Sequence, residues 1–191
     1  MKKMVLFLFI ILSFMNCHQN LAEKENLKKE ENSESSEEDF AVEYPKAPDF
    51  SLSDREGRAV ALSDFKGKLV YMDIWATWCG PCRQQFPALR AIEEKYKNKG
   101  IVFLSISVDP DHLKPQWEKM IDEEQLKGVQ LFAGKTSGFD EAYGVEFIPR
   151  FLLISPQGDI LMDQAPFPMD HQSGEINPHL EEIFQLYIHT K

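Results

Sequence analysis

The stretch LVYMDIWATWCGPC, Leu69 to Cys82, decides how the rest of the chain is read. Its first half, Leu69 to Trp75, is β-branched and aromatic with few polar breaks, the composition of a buried central strand. Its second half sets Cys79 and Cys82 two residues apart, around Gly80 and Pro81. Proline suits the first turn of a helix, so a helix is expected to begin around Gly80-Pro81. The following CRQQFPALRAIEEKYKNKG carries Phe86, Leu89, Ile92 and Tyr96 at helical spacing and is expected to stop at Gly100. IVFLSISVD, Ile101 to Asp109, reads as a second buried strand. Strand, helix and strand in that order imply a parallel pair with a right-handed crossover.

Outward from this unit, the globular region is expected to begin near Tyr44. PDFSLSDREGRAVALSDFKGK holds two short extended runs around Arg55-Glu56-Gly57, the plan of a hairpin, then a turn at Lys66-Gly67. Beyond Asp109, HLKPQWEKMIDEEQL reads as a helix, VQLF as a short strand and FDEAYGV as a short helix. RFLLIS and DILMDQ, separated by Pro156-Gln157-Gly158, read as an antiparallel hairpin. HLEEIFQLYIH, with Leu180, Ile183, Phe184 and Tyr187 on one face, reads as the last helix. The expected fold class is α/β, a central mixed sheet with helices on both faces. APFPMDHQSGEINP reads as a polar loop, with His171 and His179 solvated.

Two thiols at this spacing suit a metal half-site, a small structural disulfide or a redox pair. A tetrahedral zinc site needs four ligands, whereas the third cysteine is remote and the histidines are scattered. A disulfide across two residues closes so small a loop that it removes little entropy from the unfolded chain. The redox reading has a mechanism. Cys79 would stand at a helix N-terminus, where unpaired N–H groups and the helix dipole stabilise a thiolate. It would attack a substrate disulfide, and Cys82, one turn on and more buried, would resolve the mixed disulfide.

The chain has 191 residues and three cysteines, and its net charge of −10 argues against nucleic acid as a partner. No run of 18 or more apolar residues occurs, so no ordinary membrane-spanning helix is expected. At the N-terminus two lysines precede a 12-residue apolar run, Met4 to Met15, the plan of a secretory signal peptide over residues 1–17. Cys17 directly after it resembles the lipobox cysteine of bacterial lipoproteins, which becomes the lipidated first residue of the mature chain. Residues 18–43 are then expected to form an acidic disordered tether, with eight acidic residues and three lysines between His18 and Asp39. A domain over residues 44–191 completes the organisation.

WATWCGPC resembles the active site of the thioredoxin superfamily. The fuller pattern, Lys46 to Ile188, is similar to its membrane-anchored extracytoplasmic branch, the TlpA/ResA-like thiol–disulfide oxidoreductases. APDFSL…VALSDFKGKLVYMDIWATWCGPC resembles that branch's opening, Pro87 matches its helix-kinking proline, and GVEFIPRFLLISPQGDI resembles its cis-proline segment. The resemblance implies a thioredoxin-like fold with an N-terminal hairpin and an inserted helix. It implies that Cys79 and Cys82 form a redox disulfide, and that Pro149 is cis and leaves the backbone of Ile148 to pair with an extended substrate. It makes Asp73 the buried acid that takes the proton of Cys82, and Trp78 a shield of the dithiol that contacts substrate; Trp75 is expected to be structural. Arg150, where thioredoxins commonly have threonine, is expected to face the thiols or acidic substrates, or else to be a surface residue. Gln84 and Gln85 stand where the branch often has glutamate.

The expected activity is reduction of protein disulfides outside the cytoplasm, in the cell envelope or periplasm, by a lipid-anchored monomer with no metal and no cofactor. Gly80-Pro81 resembles the dipeptide of reducing thioredoxins. An upstream, membrane-bound thiol reductant would regenerate the pair. A peroxidase of peroxiredoxin type is the alternative, but that family's Pro-x-x-x-Thr/Ser-x-x-Cys motif is absent: Ala76 stands three residues before Cys79. A non-enzymatic metal-binding module is another; copper-carrying relatives space their cysteines by three residues and add a distal histidine.

Overall fold

The computed structural model describes residues 43–189. The expected signal peptide, Cys17 and the expected tether up to residue 42 lie outside the described residues.

Seven strands form one sheet in the order β2-β1-β5-β4-β3-β6-β7. The two apolar runs become its centre, β3 (Leu69–Trp75) and β4 (Ile101–Ser107), paired in parallel from Leu69↔Ile101 to Trp75↔Ser107. Every residue of β3 is buried, as the unbroken apolar run requires. Helix α1 (Gly80–Tyr96) makes the crossover between them. It ends earlier than its sequence suggests: Asn98 and Gly100 both take positive φ, so the chain turns before Gly100 rather than at it.

After β4 a 3-10 turn (Asp111–Leu113) leads into α2 (Lys114–Glu123), the inserted helix, which delivers β5 (Val129–Phe132) parallel to β4. The N-terminal hairpin, β1 (Ser51–Ser53) and β2 (Ala59–Ala61), adds antiparallel strands beyond β5, and a 3-10 turn not foreseen in the sequence (Leu62–Phe65) follows it. On the other side β6 (Arg150–Ile154) runs antiparallel to β3, and β7 (Ile160–Met162) antiparallel to β6. The short helix α3 (Phe139–Ala142) precedes β6, and α4 (Pro178–His189) closes the described chain.

Alternation along β3 divides the core. Val70, Met72 and Ile74 pack in one cluster with Trp117, Met120 and Ile121 of α2 and with Phe139. Leu69 and Tyr71 pack in the other with Leu89, Ile92 and Tyr96 of α1 and with Leu180 and Phe184 of α4. Helices thus cover both faces. The β3–α1 junction, where the motif lies, is at the C-terminal edge of the parallel strands, where open α/β sheets build their sites.

Candidate active site

The turn from β3 into α1 is held by a buried carboxylate. Asp109, just past β4 and 0% exposed, accepts hydrogen bonds from the Thr77 backbone N–H and hydroxyl, both at 2.9 Å, and from the Ser107 hydroxyl at 2.7 Å. The Val108 N–H donates to the Trp75 carbonyl at 2.9 Å and ties the two strand ends together. Trp75 is fully buried and packs edge-on against Phe86, 5.2 Å between centroids, so it is structural. Thr77 and Asp109 are functional-site residues that the sequence reading missed. The available signal was an acid at the end of the parallel neighbour of the motif-bearing strand.

Cys79 is the N-cap of α1, with extended backbone (φ −80°, ψ 98°) and Pro81 in the first turn. Its Sγ accepts the Cys82 N–H at 3.2 Å, and the two cysteines are joined as a disulfide with Cα atoms 5.3 Å apart. Sulfur therefore occupies the place of a capping oxygen, where a thiolate in the reduced protein meets the N–H groups and the positive end of the helix. The expected difference in burial is slight, 4% exposure for Cys79 and 2% for Cys82. What distinguishes the two is position, cap against first turn.

Trp78, directly before Cys79, is 62% exposed and Phe147 54%. Both line a groove of about 330 Å³ together with Val108, Val145, Ile148 and the Lys135–Asp140 ion pair. Phe147 is a second residue missed in the sequence, although it directly precedes the singled-out Ile148-Pro149. That peptide bond is cis and Pro149 is buried. The β3–β6 ladder ends at Ile74↔Arg150, so Ile148 lies beyond it, at the rim of the groove.

Arg150 is half-buried and engaged with main chain. Its Nη1 donates to the carbonyls of Tyr143 and Gly144, at 2.6 and 3.1 Å, and its Nε to that of Asp163, at 3.1 Å. The guanidinium thus joins the end of α3 to the loop after β7. Gln85 plays a comparable part. It is 2% exposed and its Oε1 accepts the Met169 N–H at 3.1 Å, anchoring the loop after β7 to α1. Gln84 is exposed, as are His171 and His179; His171 lies edge-on to Phe167.

Asp73 sits in mid-strand, 3% exposed. Burial is the main cause that pushes its carboxyl up to about 8; the Ser105 hydroxyl, donating to Oδ2 at 3.3 Å, works against this, and the negative charge of Glu93 adds to it. Glu93 of α1 is itself buried and pushed up to about 7, chiefly by desolvation, with Lys127 and Arg90 opposing. A carboxyl poised near neutrality is suited to exchange a proton with a thiol. Among the described residues no group of three or more His, Cys, Asp and Glu is placed to hold a metal, and no helix is long and apolar enough to cross a membrane.

A parallel-centred sheet with a Cys-x-x-Cys pair capping the helix after its central strand defines a thioredoxin-like protein. The fold is similar to that of the thioredoxin domain of a thiol-disulfide oxidoreductase from Bacteroides vulgatus, with a TM-score of 0.64 over 78% of this chain and 99% of that one; at 24% identity the likeness concerns the fold alone. The Redoxin family profile matches residues 44–172, and the chain belongs to the Redoxin family. Two curated relatives are both named thiol-disulfide oxidoreductase ResA. The one from Geobacillus thermodenitrificans is 33% identical over 137 residues, 72% of this chain and 75% of the relative. The one from Bacillus thuringiensis subsp. konkukian is 32% identical over 117 residues, 61% of this chain. The chain spans 66% of the length of that second relative.

Proposed function

We propose that this protein is an extracytoplasmic thiol–disulfide oxidoreductase that reduces protein disulfides through Cys79 and Cys82. The observation that carries the reading is Cys79 as the sulfur N-cap of α1, bonded to Cys82 beside a groove flanked by exposed Trp78 and Phe147. In the reduced protein the Cys79 thiolate attacks one sulfur of a substrate disulfide. A Cys79–substrate bond forms, the substrate S–S bond breaks, and the second substrate sulfur leaves with the electron pair. Cys82 then gives its proton to Asp73 and, as thiolate, attacks the Cys79 sulfur, which restores the enzyme disulfide and releases the first substrate sulfur. The substrate gains two electrons and the dithiol loses two.

Trp78, Ile148 and Pro149 are assigned to the substrate segment, which would lie along the groove. Arg150, given its carbonyl partners, acts by fixing the frame beside Pro149 rather than by touching substrate. The apolar leader and Cys17 support a lipid anchor that holds the domain at a membrane outside the cytoplasm, with an upstream thiol reductant restoring the dithiol. Monomeric action fits a single self-contained pair of thiols.

The test is trapping. The full chain bearing Cys82→Ser is incubated with a cell-envelope extract and then resolved without reductant. Mixed disulfides on Cys79, released by dithiothreitol and absent from Cys79→Ser, are expected. A failure to accumulate adducts while Cys79 remains alkylatable overturns the assignment.

A further inference from the structure

The sheet register places three polar side chains side by side across three strands. Asp73 of β3 pairs with Ser105 of β4, and Ser105 pairs with Gln130 of β5. Directly paired residues point to one face of a sheet, here the face that packs under α1. All three are buried, and Glu93 of α1 joins them from above at 7% exposure. One oxygen on each of three of these groups accepts no hydrogen bond from the protein: Asp73 Oδ1, Glu93 Oε2 and Gln130 Oε1. Buried acceptors in such a cluster are ordinarily served by ordered water bridging them. The row has an outlet. Glu93, Phe103, Lys127 and Gly128 line a groove of about 280 Å³, separate from the one beside Trp78. Gly128 takes φ +67°, and a Cβ there would lie 2.6 Å from the Phe103 carbonyl oxygen and 3.0 Å from Glu93 Oε1.

We propose that Glu93 is the outer member of a water-linked proton relay that joins Asp73, along the Ser105–Gln130 row, to solvent at the groove beside Lys127. This rests on Asp73 being the proton acceptor for Cys82. In the resolving step the Cys82 S–H bond breaks and an O–H bond forms on Asp73. Asp73 then passes a proton into the bridging water, the water passes one to the Glu93 carboxylate, and Glu93 releases one to solvent in the groove. No electron moves in the relay, and each carboxylate returns to its starting state. Regeneration of the dithiol runs the same path inward.

The charged and titratable neighbours of Asp73 are Glu93 on α1 and Tyr71 on its own strand; β4 contributes the Ser105 hydroxyl and β6 only Phe151. Glu93 in turn faces Arg90 on its own helix and Lys127 on the segment before β5. Removing the Glu93 charge therefore moves Asp73 to titrate at lower pH. Taken alone, that change makes Asp73 a more fully ionised acceptor at pH 7 and speeds resolution. Loss of a relay does the reverse, so the two roles have opposite signs.

The experiment compares steady-state reduction of insulin disulfides by the full chain, with dithiothreitol as reductant, for the wild type, Glu93→Gln and Asp73→Asn. Glu93→Gln is expected to lower turnover at pH 7 by roughly three- to tenfold, a modest share of a general acid–base effect. In the same variant the Asp73 carboxyl, followed by its infrared C=O band, titrates at lower pH than in the wild type. Imidazole, small enough to carry protons from the groove, restores the turnover of Glu93→Gln and leaves the wild type unchanged. Wild-type or faster turnover of Glu93→Gln beside a slow Asp73→Asn overturns the relay and leaves Asp73 as the acceptor. Slow turnover of Glu93→Gln that imidazole does not restore shows a structural role and likewise overturns the relay. Undiminished turnover of Asp73→Asn removes the acceptor and the relay with it.

Discussion

A single buried carboxyl, proposed above as the acceptor of the Cys82 proton, burdens the fold. Asp73 titrates near 8 in the folded protein against an ordinary aspartate value of 3.8, because burial disfavours its charged form. Between those values the folded state holds a proton that the unfolded state has lost, so stability falls as pH rises from about 4 to about 8 and is fully present only below that window. Asp73→Asn removes the titration. The variant is expected to be more stable than the wild type by roughly 2–4 kcal/mol at pH 7, with the gain vanishing below pH 4, as measured by denaturant unfolding across pH. It is also expected to resolve mixed disulfides slowly. The cysteine pair was legible in the sequence because its spacing is local, whereas the cis bond before Pro149 and the burial of Asp73 were legible only through the family resemblance. Asp109 was not, since its partner Thr77 is 32 residues away and only strand pairing brings them together.

Elements whose apolar residues recur at one period were readable almost to the residue; β3 and β5 coincide with the runs LVYMDIW and VQLF. Their order in the sheet was not. No local signal shows that β5 lies between β1 and β4, because that depends on where α2 lets the chain return. The sequence left Arg150 either beside the thiols and acidic substrates or at the surface, and the structure instead engages it with backbone carbonyls. Its three acceptors come from two separate segments, so the side chain acts as a joint between elements. Arg150→Ala is expected to cost roughly 1–3 kcal/mol in denaturant unfolding and to speed amide hydrogen exchange at Gly144 and Val145. Arg150→Lys is expected not to recover the loss, since one ammonium cannot reproduce the planar fork that spans those carbonyls.

Across the molecule the disulfide caps α1, the helix that packs on the sheet face carrying Asp73. The acid's face is sealed by α4, whose Phe184 is fully buried and stands edge-on to Tyr71, Tyr96 and Phe103 with centroids 5.5, 5.1 and 5.9 Å away. Phe184→Ala is expected to cost about 3–5 kcal/mol and to lower the melting temperature by roughly 6–20 °C. In calorimetry the loss should persist from pH 5 to pH 8, because it stems from packing. The same seal has a consequence for biosynthesis. A chain is made from its N-terminus, so Cys79 and Cys82 emerge about a hundred residues before Phe184 does. Until that last helix docks, the place of Phe184 against Tyr71, Tyr96 and Phe103 is unfilled. On the reading that Asp73 takes the proton of Cys82, the nascent protein thus holds that acid and both thiols before it holds the aromatic cover over the acid's face.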